Sequence, residues 1–226
     1  MKRCRGLALA VALACAAPRA GELEYLAPDQ VPLAELLGGE IPPAAPAVRC
    51  ALELSDSLAR RGVGYHRDEA RHLLTRENAP PLPPELSCSE FVWYVYTECG
   101  VDLGDRHRNS RELAFAEHNY PRGMHRVRDG SIRPGDLLVY DFDPEELERG
   151  AKLPEGERAG HVVLVVSPEQ RILVGSHGAA STPVGAPEGV GYRRARGDLS
   201  RWTEGRTLRA TYRPRRASAT LAAPEE

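Results

Sequence analysis

The chain lacks both an excess of charge of one sign and an apolar run long enough to cross a membrane. Its 226 residues carry a formal net charge of -2 at pH 7, so we expect no nucleic-acid partner. The N-terminal apolar run, residues 7–17, is shorter than the roughly 20 residues of a transmembrane helix. No transmembrane span is therefore predicted. Hydrophobic residues still make up 42% of the chain, which predicts one packed domain with extensions, and we expect a monomer.

Lysine is also scarce, since Lys2 and Lys152 are the only two, and arginine carries the remaining positive charge. Lys2 belongs to a targeting pattern with Arg3 and Arg5, which precede the apolar run. Small residues around Cys15 offer a signal-peptidase site, so we predict export to the periplasm or the medium. Lipid anchoring through Cys15 is an alternative. The predicted organisation is a signal peptide (1–20), a Pro/Ala-rich linker (21–46), a catalytic domain (47–216) and a disordered tail (217–226).

Few cysteines remain once a signal peptide is removed, namely Cys50, Cys88 and Cys99. An odd number in an exported protein indicates one disulfide with one free thiol, or three free thiols. Pairing of Cys50 with Cys99 would leave Cys88 free, but the sequence alone does not establish that pair. We favour a core thiol for Cys99.

The segment Ser87–Tyr96 has the pattern of a helix start that carries a thiol. Ser87 and Glu90 form a capping box, which makes Cys88 the first helical residue, and Gly100 is placed to end the helix. The positive end of the helix dipole favours thiolate over thiol, and the thiolate is the nucleophilic form of cysteine. A buried structural cysteine is the alternative interpretation.

Two histidines are predicted to meet across a hairpin. If Pro168–Gln170 is a symmetric three-residue loop, Ser167 pairs with Arg171, and His161 then lies directly opposite His177. Directly opposed residues share one face of a sheet, with Cβ atoms about 5 Å apart. The register thus brings the two imidazoles together without any assumption about function.

A thiol at a helix N-terminus and a histidine pair together predict nucleophilic catalysis. Cys88 attacks a carbonyl as thiolate. His161 holds the proton as imidazolium and returns it to the leaving amine, and His177 orients the His161 ring. Zinc bound by the same three residues is an alternative, although the usual paired-ligand spacing is missing, so we predict no metal and no cofactor. The other histidines occur in polar stretches and are predicted to lie on the surface: His66, His72, His107, His118 and His125.

The remaining pattern predicts a mixed α and β domain. An acidic stretch within residues 143–158 is predicted to be a solvated loop, with calcium binding as the less favoured alternative. Apolar periodicity and turn residues predict a short helix at 33–37 and helices at 47–61, 88–99 and 110–117. Strands are predicted at 137–142, 161–167, 171–176 and 207–212.

From about residue 47 to 212, the chain resembles the NlpC/P60 family of papain-like cysteine peptidases. The motifs that carry the resemblance are Ser87-Cys88-Ser89-Glu90-Phe91-Val92, Arg108-Asn109-Ser110, Arg133-Pro134-Gly135-Asp136-Leu137 and Gly160-His161-Val162. The resemblance implies an α+β fold in which the cysteine helix packs on a central antiparallel sheet. It also implies cleavage of amide bonds in peptidoglycan stem peptides, often between D-glutamate and a diamino acid.

The resemblance further implies substrate-binding roles for Tyr65, Ser87 and Ser89. Two residues depart from the family pattern: Ser87 replaces an aspartate that binds the free amino terminus of the substrate in relatives, and Glu90 replaces a glycine. Our leading hypothesis is an exported cysteine hydrolase that acts on peptidoglycan peptide. The alternatives are an amidase or acyltransferase with another substrate, and a non-catalytic cell-wall binding module.

Overall fold

The computed structural model describes residues 23–39, 45–66, 74–116, 121–142, 160–179, 182–202 and 206–215. The predicted signal peptide, the predicted tail and the acidic stretch at 143–158 lie outside these residues. So do His72 and His118.

The fold is α+β, with N-terminal helices packed against a seven-stranded antiparallel sheet. The strand order across the sheet is β1-β6-β5-β4-β3-β7-β2. The strands are β1 (Leu23–Leu26), β2 (Met124–Arg126), β3 (Leu137–Phe142), β4 (His161–Ser167), β5 (Ile172–His177), β6 (Gly189–Ala195) and β7 (Arg206–Pro214). The apolar runs of β3, β4 and β5 therefore form the middle of the sheet, where every one of their residues is buried.

Four α-helices accompany the sheet in the described part of the chain: α1 (Leu33–Gly39), α2 (Pro46–Arg60), α3 (Cys88–Glu98) and α4 (Ser110–Ala114). The predicted helix at 110–117 thus ends earlier, at Ala114. Within the predicted linker at 21–46, Leu23–Leu26 form an edge strand paired with β6, which the sequence did not predict. Strand β6 was not predicted either, since its arginines and glycines hide the apolar alternation expected of a buried strand.

The two faces of the sheet bury different side chains. On the helix face, Val162 and Leu164 of β4 and Val174 of β5 join the core with α2 and α3. On the opposite face, Val163 of β4 packs with Trp202, and we call this the tryptophan face. Alternation along β4 and β5 assigns His161 and His177 to the tryptophan face, because they share the parity of Val163 and Leu173.

The β4–β5 hairpin reaches the predicted register by a different route. Ser167 pairs with Ile172 rather than with Arg171, so the predicted three-residue loop is wrong by one residue. Arg171 adopts a left-handed conformation with φ of 55°, and a bulge at Val166 compensates for the extra loop residue. Val165 therefore pairs with Leu173, and continuing that register places His161 opposite His177 as predicted.

A disulfide joins Cys50 of α2 to Cys99 at the end of α3. The favoured prediction of a core thiol for Cys99 is therefore wrong. The two cysteines come together because α2 and α3 pack side by side, which the linear sequence does not reveal. Cys88 is left as a cysteine outside any disulfide.

Candidate active site

The start of α3 has the predicted capping geometry. The Ser87 hydroxyl accepts a hydrogen bond from the Glu90 N–H at 3.4 Å, and the Glu90 carboxylate accepts one from the Ser87 N–H at 2.8 Å. Cys88 is the first helical residue, and its side chain is buried. The first intrahelical bond is donated by the Phe91 N–H to the Ser87 carbonyl, so the Cys88 N–H precedes the helical ladder.

His161 and His177 form a hydrogen-bonded pair with a defined direction. His161 Nε2 lies 3.0 Å from His177 Nδ1, and His177 Nε2 lies 3.0 Å from the Gly191 carbonyl oxygen. A carbonyl only accepts, so His177 Nε2 carries hydrogen and its Nδ1 accepts from His161 Nε2–H. In this neutral tautomer, Nδ1 of His161 is the nitrogen left to accept a proton.

Burial keeps both imidazoles in the neutral form. It lowers the pKa of His161 well below its ordinary value, and the positive charges of Arg206 and Arg193 lower it further. The pKa of His177 is lowered by burial first, then by Arg193 and by His161. His161 is therefore an unprotonated base near pH 7.

Trp202 encloses the histidine pair and was missed by the sequence analysis. Its ring stacks on His177 with centroids 5.6 Å apart and an interplanar angle of 13°, and it lies 4.9 Å from the His161 ring. Tyr140 contacts the indole at 5.5 Å. Trp202 itself is fully buried. No sequence signal links it to the histidines, because only the fold brings the three rings together.

Cys88 and the histidine pair approach the same end of the sheet from opposite faces. The Cys88 side chain belongs to the core on the helix face, whereas both imidazoles lie on the tryptophan face. Ser176, next to His177, donates a 2.5 Å hydrogen bond to the Leu86 carbonyl, which anchors the chain two residues before Cys88. The structure thus brings together His161 and His177 and places Cys88 nearby.

Tyr65 lies at the same end of the sheet. A Cβ on Gly178 would stand 2.5 Å from Cε1 of Tyr65, so the tyrosine ring rests on the backbone directly after His177. Ser87 and Ser89 are buried, and their hydroxyl oxygens are 3.5 Å apart. The Ser87 hydroxyl also caps α3, so a structural role accounts for it as well as a substrate contact does.

Two histidines predicted to lie on the surface are not exposed, since His66 is partly buried and His107 is buried. His66 places Nε2 2.6 Å from Oε2 of Glu90, with the two side chains 10% and 0% exposed. His107 is also buried, and its backbone N–H bonds to the Leu74 carbonyl. Their polar neighbours in sequence concealed this burial. His125 is exposed, as predicted.

The described residues contain neither a metal-binding cluster nor a membrane-spanning helix. Within them, no three His, Cys, Asp or Glu side chains are arranged to hold a metal ion. Nor does any helix in the described part of the chain have the length and apolar character needed to cross a membrane.

Comparisons with known proteins leave the site to be interpreted from its own geometry. No family model matches the chain, and no curated protein or solved structure matches it either.

Proposed function

We propose that the protein is an exported cysteine hydrolase with a papain-like NlpC/P60 fold that cleaves amide bonds of peptidoglycan stem peptides. The observation that carries this proposal is the directed chain from Gly191 through His177 to His161. That chain leaves His161 Nδ1 as a neutral proton acceptor at the end of the sheet where Cys88 begins α3. The motif order from Ser87 to His177 supports the substrate class.

In the proposed reaction, His161 Nδ1 accepts the proton of the Cys88 thiol as sulfur attacks the scissile carbonyl carbon. The Cys88 N–H at the start of α3 donates to the developing oxyanion. His161 then returns the proton to the departing amine, which leaves a thioester. Water attacks the thioester, His161 takes its proton, and that proton returns to the thiolate as the acid is released. His177 holds the His161 ring throughout.

This scheme requires the Cys88 thiol to come within hydrogen-bonding distance of His161, past the start of β4, when substrate is bound. Hydrogen bonds between catalytic groups are often long in a free enzyme and shorten in the substrate complex. Gly160 directly precedes His161 and has no side chain at this end of the sheet. A Cβ at this position would collide with the Tyr140 carbonyl oxygen. The Cys50–Cys99 disulfide favours an oxidising compartment, in agreement with export.

The proposal is tested by hydrolysis of a peptide that contains a D-glutamyl–diamino acid bond, followed by mass spectrometry of the products. We expect Cys88→Ala to abolish turnover, by more than about a thousandfold, while the peptide still binds. His161→Gln should abolish turnover too. Because burial lowers the pKa of His161, the acid limb of the pH profile should lie below the ordinary histidine value of about 6.5. A rate that is independent of pH from 5 to 9 would contradict the mechanism.

A binding module is the second candidate, and the separation of Cys88 and the imidazoles onto opposite faces favours it. In that case the histidine pair is a buried structural element of the tryptophan face. Isothermal titration of stem peptide into the wild type and Cys88→Ala separates the two candidates. Equal affinity in both proteins, with no product formed by the wild type, would establish binding without catalysis.

A further inference from the structure

Two ionisable side chains, the partly buried His66 and the fully buried Glu90, form a pair beside the start of α3 that has no part in the reaction above. Oε2 of Glu90 lies 2.6 Å from Nε2 of His66 and accepts the Ser87 N–H at 2.8 Å. The glutamate is fully buried, and the histidine side chain is 10% exposed. One carboxylate oxygen thus connects His66 with the residue directly before Cys88.

The carboxylate of Glu90 is close enough to influence the nucleophile. Ser87 and Cys88 are consecutive, so the carboxylate lies within about 7 Å of the Cys88 backbone nitrogen. A negative charge there stabilises the helix start, but it opposes a second negative charge on the thiolate or on an oxyanion at the Cys88 N–H. Burial strengthens this repulsion because water does not screen it. The cap that begins α3 therefore works against the chemistry proposed for its first residue.

We propose that His66 is a positioning residue for the nucleophile: its imidazolium neutralises Glu90, so that the cap is kept while Cys88 ionises. This inference rests on the proposed function, since it requires Cys88 to be a nucleophile. Nε2 of His66 lies within hydrogen-bonding distance of the carboxylate, so the Nε2–H donates to Oε2 of Glu90.

Other titratable groups occur around this pair and also affect the electrostatic potential at Cys88. Glu85 is exposed and faces Gly64 in a backbone bridge, and Tyr65 rests on Gly178. The imidazoles of His161 and His177 approach from the opposite face of the sheet. Glu85 is in contact with solvent, so screening weakens its effect on Cys88 relative to that of the buried Glu90.

The test is the rate of Cys88 alkylation by iodoacetamide from pH 5 to 9, quantified on the Cys88 peptide by mass spectrometry. The proteins compared are the wild type, His66→Gln, Glu90→Gln, the double variant, and His125→Gln as an exposed control. Glutamine at position 90 still offers an oxygen to the Ser87 N–H, so the cap is retained without its charge.

We expect His66→Gln to raise the pH midpoint of alkylation by about one unit, which is about a tenfold slower reaction at pH 7. Glu90→Gln should leave the midpoint unchanged or lower it. The double variant should return to within about twofold of the wild type, because the charge that His66 neutralises is then absent. A purely structural role for His66 would slow alkylation or unfold the protein without rescue by Glu90→Gln.

The result that overturns the inference is a His66→Gln midpoint equal to that of the wild type, or a shift that Glu90→Gln does not reverse. If His66→Gln fails to fold, a Glu90→Gln midpoint above that of the wild type overturns it instead. Retention of full peptide hydrolysis by Cys88→Ala contradicts the proposed function itself. The two failures are therefore distinguishable, because the first is measured by alkylation and the second by hydrolysis.

Discussion

At the scale of single residues, the tautomer and the protonation state of the histidine pair depend on the residues that surround it. The Gly191 carbonyl fixes the tautomer of His177, which in turn fixes that of His161. Trp202 covers both rings, and Arg193 is buried on the same face with its pKa lowered to about 10, mainly by burial. A base with these neighbours stays neutral because protonation would place a further positive charge in a dry, already positive environment.

The depressed pKa values make the stability of the fold depend on pH. An unfolded histidine binds a proton near pH 6.5, whereas the buried pair does so only at lower pH. Stability is therefore complete above about pH 6.5 and falls as the pH drops below it, by up to about 1.4 kcal/mol per pH unit for each histidine. Urea unfolding between pH 7.5 and 5 should show a smaller fall in His177→Gln than in the wild type.

Glutamine suits this comparison because its amide can accept from His161 and donate to the Gly191 carbonyl. The exposed His125→Gln should follow the wild type at every pH. Identical slopes in His177→Gln and the wild type would show that the pair does not govern acid sensitivity.

At the scale of secondary-structure elements, α3 is held against the sheet at both ends. Near its beginning, Ser176 of β5 donates to the Leu86 carbonyl. Towards its end, the Tyr96 hydroxyl donates to the Gly135 carbonyl in the turn before β3. These contacts fix where Cys88 stands relative to β4 and β5, so in the proposed reaction the approach of the thiol to His161 depends on them.

We expect Ser176→Ala to reduce the free energy of unfolding by about 1–3 kcal/mol, because the Leu86 carbonyl loses its buried donor. It should also reduce kcat/KM by at least about tenfold, since the start of α3 is no longer anchored beside His177. The measurements are urea unfolding and peptide hydrolysis under identical conditions.

Ser55→Ala is the matched control for Ser176→Ala. Ser55 is also fully buried and donates to a backbone carbonyl, that of Ala51, but it does so within α2. Its loss should affect stability and leave kcat/KM unchanged. If the two variants lose activity equally, the anchor at Leu86 has no special role.

At the scale of the whole molecule, the Cys50–Cys99 disulfide links two helices on one face of the sheet. The cysteines are 49 residues apart, and the closed loop includes the whole segment from α2 through Tyr65 to α3. Cys88 lies within this closed loop, so the crosslink constrains the chain on both sides of it. Cys88 itself is outside the disulfide.

Removal of the disulfide in Cys50→Ala/Cys99→Ala should reduce the free energy of unfolding by about 4 kcal/mol, from the entropy of closing a loop of this length. For a chain of this size, the melting temperature should fall by about 10 °C. Thermal unfolding of the variant and of the wild type with and without dithiothreitol checks this. A wild type unaffected by the reductant and equal to the variant would show that the crosslink contributes no stability.

Local sequence determined the features that depend on neighbours along the chain. The capping box of Ser87 and Glu90 fixed Cys88 as the first residue of α3, because both partners lie within one helical turn. Apolar runs predicted β3 and β4 with their observed bounds. The hairpin also placed His161 opposite His177, although the bulge at Val166 was needed to correct a mistaken loop length.

Only the tertiary structure decided the features that depend on which distant segments meet. Three such features each join parts of the chain far apart in sequence: the disulfide between Cys50 and Cys99, the contact of His66 with Glu90, and the stacking of Trp202 on the imidazoles. The same is true of the sheet face on which the histidines lie relative to Cys88. Alternation along a strand specifies that two residues share a face, but packing of the helices specifies which face is which.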